Sequence, residues 1–197
     1  MRGKMITFVL VGAAAAALPA GCGHDGSRET RAATSSQPNA TKPLTGVAEP
    51  LAGWDGLPNA SRAGAVTFGG QPTEAALERF AAEGGTLVVD NRTHEGSDKA
   101  DFDEQAAAER LGMTYLHIPM TGSSLTREDV DRFAEAMEQA DGPVLAHCRS
   151  ANRTGGLWAA YLALYRGWDV EKAIEAGRAA GMRAPSVEES ARRLIGG

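Results

Sequence analysis

A chain of 197 residues has room for one domain, at most two. Its formal net charge is −5, with lysine scarce beside arginine and no basic stripe, which argues against nucleic acid as a partner. Hydrophobic residues make up 43% of the chain, an ordinary share for a globular protein.

The first 22 residues read as a signal peptide. Arg2 and Lys4 give a positive start, and an alanine-rich apolar run follows from Met5 to Leu18. That run is shorter than the roughly 20 residues needed to span a bilayer. Leu18-Pro19-Ala20-Gly21-Cys22 resembles a bacterial lipoprotein processing site, which implies lipidation of Cys22, with the leucine one place earlier than usual. Cleavage within the alanine run is the alternative. Residues 23–50, rich in Ser, Thr, Ala, Pro and Gly, lack the apolar periodicity that offsets ordering entropy, and read as a flexible linker. The expected location is extracytoplasmic, on a bacterial membrane through an N-terminal lipid anchor. With Cys22 lipidated, Cys148 is the one thiol left and no internal disulfide forms.

Residues 51–197 read as a folded domain in which strands and helices alternate. A strand is predicted over 65–68, then a Gly-Gly-Gln-Pro turn, then a helix over 74–83 capped by Thr73 and stopped by Gly84-Gly85. A buried strand follows over 86–90, a polar loop over 91–100, a helix over 102–111 and a strand over 114–118. Thr126 caps a helix over 127–140, with Asp129 placed for a capping box. A short strand over 144–146 runs into a loop, and a helical pattern resumes at Leu157 and ends at Gly167. Asp169 caps a further helix to about Ala180, and Ser186 with Glu189 forms a capping box for the last. This alternation implies an α/β fold, a mainly parallel central sheet flanked by helices.

The strand at 144–146 ends at Cys148, whose loop feeds a helix N-terminus. Unpaired N–H groups and the helix dipole bind anions at such an end and lower the pKa of a thiol held against it. Arg153 adds a planar cation able to grip two phosphate-like oxygens. His147-Cys148, four residues, then Arg153-Thr154 resembles the His-Cys-(five residues)-Arg-Ser/Thr loop of cysteine-based phosphatases, one residue shorter. The four-residue spacing is similar to a bacterial branch of dual-specificity-phosphatase-like domains, also found fused to NAD kinase domains. Phe68-Gly69-Gly70-Gln71-Pro72-Thr73-Glu74, Leu87-Val88-Val89-Asp90-Asn91-Arg92 and Leu111-Gly112 through Pro119 resemble the same group. The loop also resembles that of rhodanese sulfurtransferases, as does Asp90-Asn91-Arg92-Thr93-His94-Glu95, but the rhodanese segment expected next is missing.

The phosphatase resemblance implies Cys148 as nucleophile on phosphorus. Arg153 and the backbone N–H groups of Arg149, Ser150, Ala151, Asn152 and Thr154 then bind the phosphoryl oxygens. It implies that Thr154 bonds the departing sulfur, that His147 orients the loop, and that Arg92 supplies a second cation or pairs with a loop carboxylate. The loop at 120–124 carries no carboxylate where related phosphatases often place a general acid. Asp98, Asp101, Asp103 and Glu95 are the alternatives, with Asp103 preferred. The partner is a phosphorylated substrate of unspecified identity. No cofactor is called for, and the scattered histidines give no metal-ligand spacing. The other functional readings are a sulfurtransferase carrying a persulfide on Cys148 and a silent anion-binding module.

Overall fold

The computed structural model describes residues 47–197, so the signal peptide, Cys22 and nearly all of the linker lie outside the described residues. Strands β1 (Glu49–Pro50), β2 (Ser61–Ala63), β3 (Val66–Gly69), β4 (Leu87–Asp90), β5 (Thr114–His117) and β6 (Val144–His147) form one sheet. Its order is β1-β2-β3-β6-β4-β5. β3, β6, β4 and β5 pair in parallel, while β1 and β2 extend one edge antiparallel. The sheet is therefore mixed, with the parallel part at its centre.

The two edge strands were not legible in the sequence. Two and three residues long, they show no alternating pattern, and β1 precedes the boundary read at Leu51. Pairing defines them: the Gly64-Ala65 turn, with Gly64 at φ +58°, folds β2 back onto β3.

Helices α1 (Glu74–Ala82) and α2 (Glu104–Arg110) cover one face of the sheet, and α3 (Arg127–Gln139), α4 (Asn152–Arg166), α5 (Val170–Ala179) and α6 (Pro185–Gly196) the other. The central strands divide their side chains accordingly. Val88 and Leu145 pack with Leu77, Phe80 and Ala107, while Val89 and Ala146 pack with Phe133, Leu157 and Trp158. Burial on both faces explains why β4 and β6 read as continuous apolar runs.

Capping follows the sequence at three helices. Thr73 accepts from the N–H of Ala76, Thr126 and Asp129 form a reciprocal capping box, and Asp169 accepts from Glu171 and Lys172. It departs at three others. α2 starts at Glu104 because Asp103 is its N-cap, accepting from the N–H of Ala106 at 3.0 Å. α6 has no Ser186–Glu189 box: Pro185 takes its first turn, where the missing N–H costs nothing, and Ala184 stands at the cap.

α4 is the third departure. It begins at Asn152 rather than Leu157, so Arg153 and Thr154 belong to its first turn. Gly155 and Gly156 read as loop residues, yet they are helical, and without side chains they let neighbouring elements lie against them. A Cβ on Gly155 would fall 2.5 Å from the carbonyl oxygen of Gly177 and from the nitrogen of Met182. One on Gly156 would fall 2.5 Å from Cγ1 of Val187. Close approach of α5 and α6 is thus built on these glycines. Gly155→Ala should lower stability by about 1–3 kcal/mol, read by urea unfolding, through enforced separation of α4 from α5. An unchanged midpoint would contradict this packing.

Candidate active site

Cys148 follows the last residue of β6 and stands ahead of α4. The loop is pinned from both sides. The N–H of Cys148 donates to the carbonyl of Gly69 at 3.4 Å, and the N–H of Gln71 donates to the carbonyl of Arg149 at 3.2 Å. Nδ2 of Asn59 reaches the carbonyl of Ser150 at 3.4 Å. Ala151 then takes a left-handed conformation, φ +67°, an uncommon choice for a residue with a side chain. This turn lets the chain enter α4 at once and aims the backbone N–H groups of Ser150, Thr154 and Arg153 at the sulfur.

Cys148 is buried. Burial pushes its thiol up, but those N–H groups and the Arg153 charge outweigh it, so the thiol lies below its ordinary value. The donors about Cys148 are thus the backbones of Ser150, Arg153 and Thr154. Asn152 does a further job. Its Oδ1 accepts the N–H groups of Arg183 at 2.7 Å and Ala184 at 2.9 Å, tying the start of α4 to the α5–α6 connection.

Arg153 faces an acid. Its Nη1 donates to Oδ2 of Asp98 at 2.6 Å and to the carbonyl of Met120 at 2.9 Å; its Nη2 donates to Oδ1 of Asp98 at 2.9 Å. Asp98 also accepts from the N–H and hydroxyl of Thr93, each at 3.1 Å. Burial pushes the Asp98 carboxyl up, but Arg153 and Thr93 prevail and bring it to about 2. Thr93, Glu95 and Asp98 wall one side of an open depression of about 340 Å³, Thr121 and Gly122 another, and Arg149, Ser150, Asn152 and Arg153 a third. Of the four carboxylates weighed from the sequence, Asp98 and Glu95 line it. Asp103, the preferred general acid, does not: it is spent on capping α2.

Below the loop lies a buried ionic cluster. Arg92, fully buried, places Nη2 2.6 Å from Oδ2 of Asp90 and also bonds Glu104. His147 brings Nε2 to 2.6 Å from Oε1 of Glu104. Burial alone would lower the His147 pKa, but the Glu104 and Asp90 charges raise it above the ordinary value. Burial pushes Asp90 up, and Arg92, His147 and His94 hold it well below the usual carboxylate range. Arg92 is therefore no second cation for a substrate; it neutralises two carboxylates. Thr154 contributes through its backbone. Its hydroxyl donates to Oδ1 of Asn91 at 3.0 Å, so its backbone N–H, not the hydroxyl, addresses the sulfur. Asn91 in turn donates to the carbonyls of His147 and Ile118.

Asp90, Asn91 and Glu104 were missed as site residues. Asp90 and Asn91 stood within the run ending at Arg92, and Glu104 stood in a helix start, where carboxylates usually serve the dipole. Among the described residues two donor groups come close enough to suggest a metal, Asp90-His94-His117 and Asp90-Glu104-His147. The residues fit neither. Arg92 already occupies the second. In the first, the histidine rings stack at 4.1 Å and 9°, and lone pairs lying in two parallel planes do not converge on one ion.

The family described as beta-lactamase hydrolase-like protein, phosphatase-like domain, matches residues 63–164. The chain belongs to that family. It is 33% identical over 90 residues to the beta-lactamase hydrolase-like protein of Agrobacterium fabrum, covering 45% of this chain and 21% of that one. The Xylella fastidiosa protein of that description is 33% identical over 96 residues, 48% of this chain and 22% of that one. The chain thus spans about a fifth of these curated relatives. A solved candidate phosphatase from Neisseria meningitidis is 30% identical, with TM-score 0.55, covering 66% of this chain and 92% of that one. TpbA of P. aeruginosa, solved with pTyr, has TM-score 0.58 at 22% identity over 79% of this chain and 90% of its own. Human DUSP28 has 0.54 at 20% identity over 75% and 97%. At these last identities the likeness shows the fold, which is that of cysteine-based phosphatases.

Alkylation of Cys148 by iodoacetamide should titrate below the ordinary thiol value of 9.0. The sign follows from the ionised form being the favoured one. Thiolate is present above the lowered value and lost as pH falls through it. Arg153→Ala should move the midpoint up, and equal midpoints in the two proteins would contradict the assignment of that charge.

Proposed function

We propose that this domain is a cysteine-dependent phosphatase acting on phosphate monoesters. The observation that carries this reading is the convergence on one sulfur of three backbone N–H groups and the Arg153 guanidinium. The Cys148 thiolate attacks phosphorus. The S–P bond forms as the P–O bond to the leaving group breaks, and the leaving oxygen takes up a proton. Water then attacks the cysteinyl-phosphate, releasing phosphate and restoring the thiolate. Arg153 and the N–H groups of the loop bind the three non-bridging oxygens, where charge accumulates in the transition state. Asp98 is ionised and fully engaged, so no buried carboxyl of this pocket is set to protonate a leaving oxygen; Glu95, exposed at the rim, is the other carboxylate there. Aryl phosphates, whose leaving oxygen needs little protonation, are the substrates this site suits.

A second reading, a sulfurtransferase with Cys148 as persulfide carrier, is favoured by one observation. Four residues separate Cys148 from Arg153, one fewer than the phosphatase pattern, which narrows the ring of donors around the sulfur. The two are separated by parallel assays on the full chain: phosphate release from an aryl phosphate, and sulfur transfer from thiosulfate to cyanide. Phosphate release is expected, lost in Cys148→Ser and reduced by about 10²-fold or more in Arg153→Ala. Sulfur transfer without phosphate release would overturn the phosphatase reading and keep the nucleophile.

Export and anchoring belong to the same proposal and rest on residues 1–22. No helix among the described residues is long and apolar enough to cross a membrane; the anchor proposed is a lipid on Cys22, read from residues 18–22. The chain made in bacterial cells should partition into the detergent phase, and Cys22→Ser should move it to the aqueous phase; unchanged partitioning of the variant would end the lipid assignment.

A further inference from the structure

Asp98 comes from neither element that builds the nucleophile loop. It ends a single 3₁₀ turn, Gly96–Asp98, between β4 and α2. Its two oxygens accept four hydrogen bonds: Oδ1 from Nη2 of Arg153, and Oδ2 from Nη1 of Arg153 and from the N–H and hydroxyl of Thr93. A carboxylate so saturated has no free oxygen to carry a proton toward a leaving group.

The consequence falls on Arg153. A guanidinium has five N–H donors in a rigid plane. Asp98 takes one from each Nη, on the end of the fork, and the carbonyl of Met120 takes the other on Nη1. The donors left, on Nε and Nη2, run parallel along the side edge of the fork. Such an edge matches two oxygens of a tetrahedral oxyanion. The same guanidinium lies near enough to Cys148 for its charge to favour the thiolate.

We propose that Asp98 is a positioning residue: by holding the end of the Arg153 fork it presents the Nε–Nη2 edge to an oxyanion above Cys148. Thr93 fixes Asp98 in turn, so the β4–α2 loop sets the orientation of a cation that belongs to α4. The assignment deepens the phosphatase reading and rests on it.

The test uses the full chain, wild type and Asp98→Asn, with two readouts. The first is kcat/KM over a series of aryl phosphates of rising leaving-group pKa. The second, which needs no turnover, is protection of Cys148 from iodoacetamide by inorganic phosphate. Asp98→Asn should lower kcat/KM by on the order of 10- to 100-fold, by the same factor for every leaving group. It should raise the phosphate concentration that half-protects Cys148 by a similar factor. Asp98→Glu keeps the charge, should recover part of both, and carries the test if the neutral variant fails to fold. A loss that grows with leaving-group pKa would overturn the proposal by making Asp98 the proton donor. Tighter phosphate protection in Asp98→Asn would overturn it by showing that the carboxylate competes with the substrate, and an unchanged half-protecting concentration would reduce the pair to a surface ion pair. Wild-type protein that phosphate protects but that releases none from any aryl phosphate would refute the phosphatase reading alone, with the protection experiment still deciding on Asp98. Absence of protection in the wild type would refute both.

Discussion

Four ionisable side chains shielded from solvent, Asp90, Arg92, Glu104 and His147, hold the Cys148 loop from below. They come from the end of β4, the start of α2 and the end of β6. Glu104 and Asp90 hold the His147 pKa above its ordinary value against the effect of burial, which favours the charged imidazole beside them. Removing one partner from such a cluster leaves an uncompensated buried charge, which typically costs about 3–5 kcal/mol. The cluster therefore couples stability to the geometry of the site. His147 cannot turn without unpairing Glu104, and Cys148 is the next residue along the chain.

Above this base, the loop works through backbone rather than side chains. Ala151 at positive φ turns the chain, the first turn of α4 supplies N–H groups, and Asn91 joins the hydroxyl of Thr154 to the carbonyls of His147 and Ile118. The side chains of Asn152 and Thr154 fasten the loop to its surroundings, leaving its N–H groups for the sulfur. Close packing completes the arrangement. Gly181, at φ +112°, lies against Ala151 so tightly that a Cβ there would fall 2.5 Å from the Cβ of Ala151. The α5–α6 connection thus presses on the residue whose strained conformation aims the donors.

Electrostatics divides the site into two layers. The lower layer is the buried group of Asp90, Arg92, Glu104 and His147. In the upper layer Arg153 stands between the Asp98 carboxylate and the Cys148 thiol, a balance that a phosphoryl dianion entering the depression would shift. A thiol held below its ordinary value and a fork with one edge free suit oxyanion chemistry of both kinds weighed for this loop, and the family and fold favour phosphorus over sulfur.

The sequence by itself determined where the proposed nucleophile, Cys148, lies in the fold, at a strand end ahead of a helix, because an apolar strand, a cysteine and an arginine at short spacing are all local. It also determined the parallel centre of the sheet and three of the helix caps, Thr73, Thr126 and Asp169, where a side chain serves a backbone group two or three residues away. Tertiary structure alone decided the rest. Whether Asp98 or Asp103 reaches Arg153 depends on how the β4–α2 loop folds over α4, 55 residues further along the chain. That Arg92 is buried against Asp90 and Glu104 follows from α2 docking on the sheet. That α4 starts at Asn152 follows from α5 and α6 filling the space a side chain on Gly155 or Gly156 would take. In each case the deciding partner is distant in sequence, and a local pattern carries no information about a contact made only when separate elements pack.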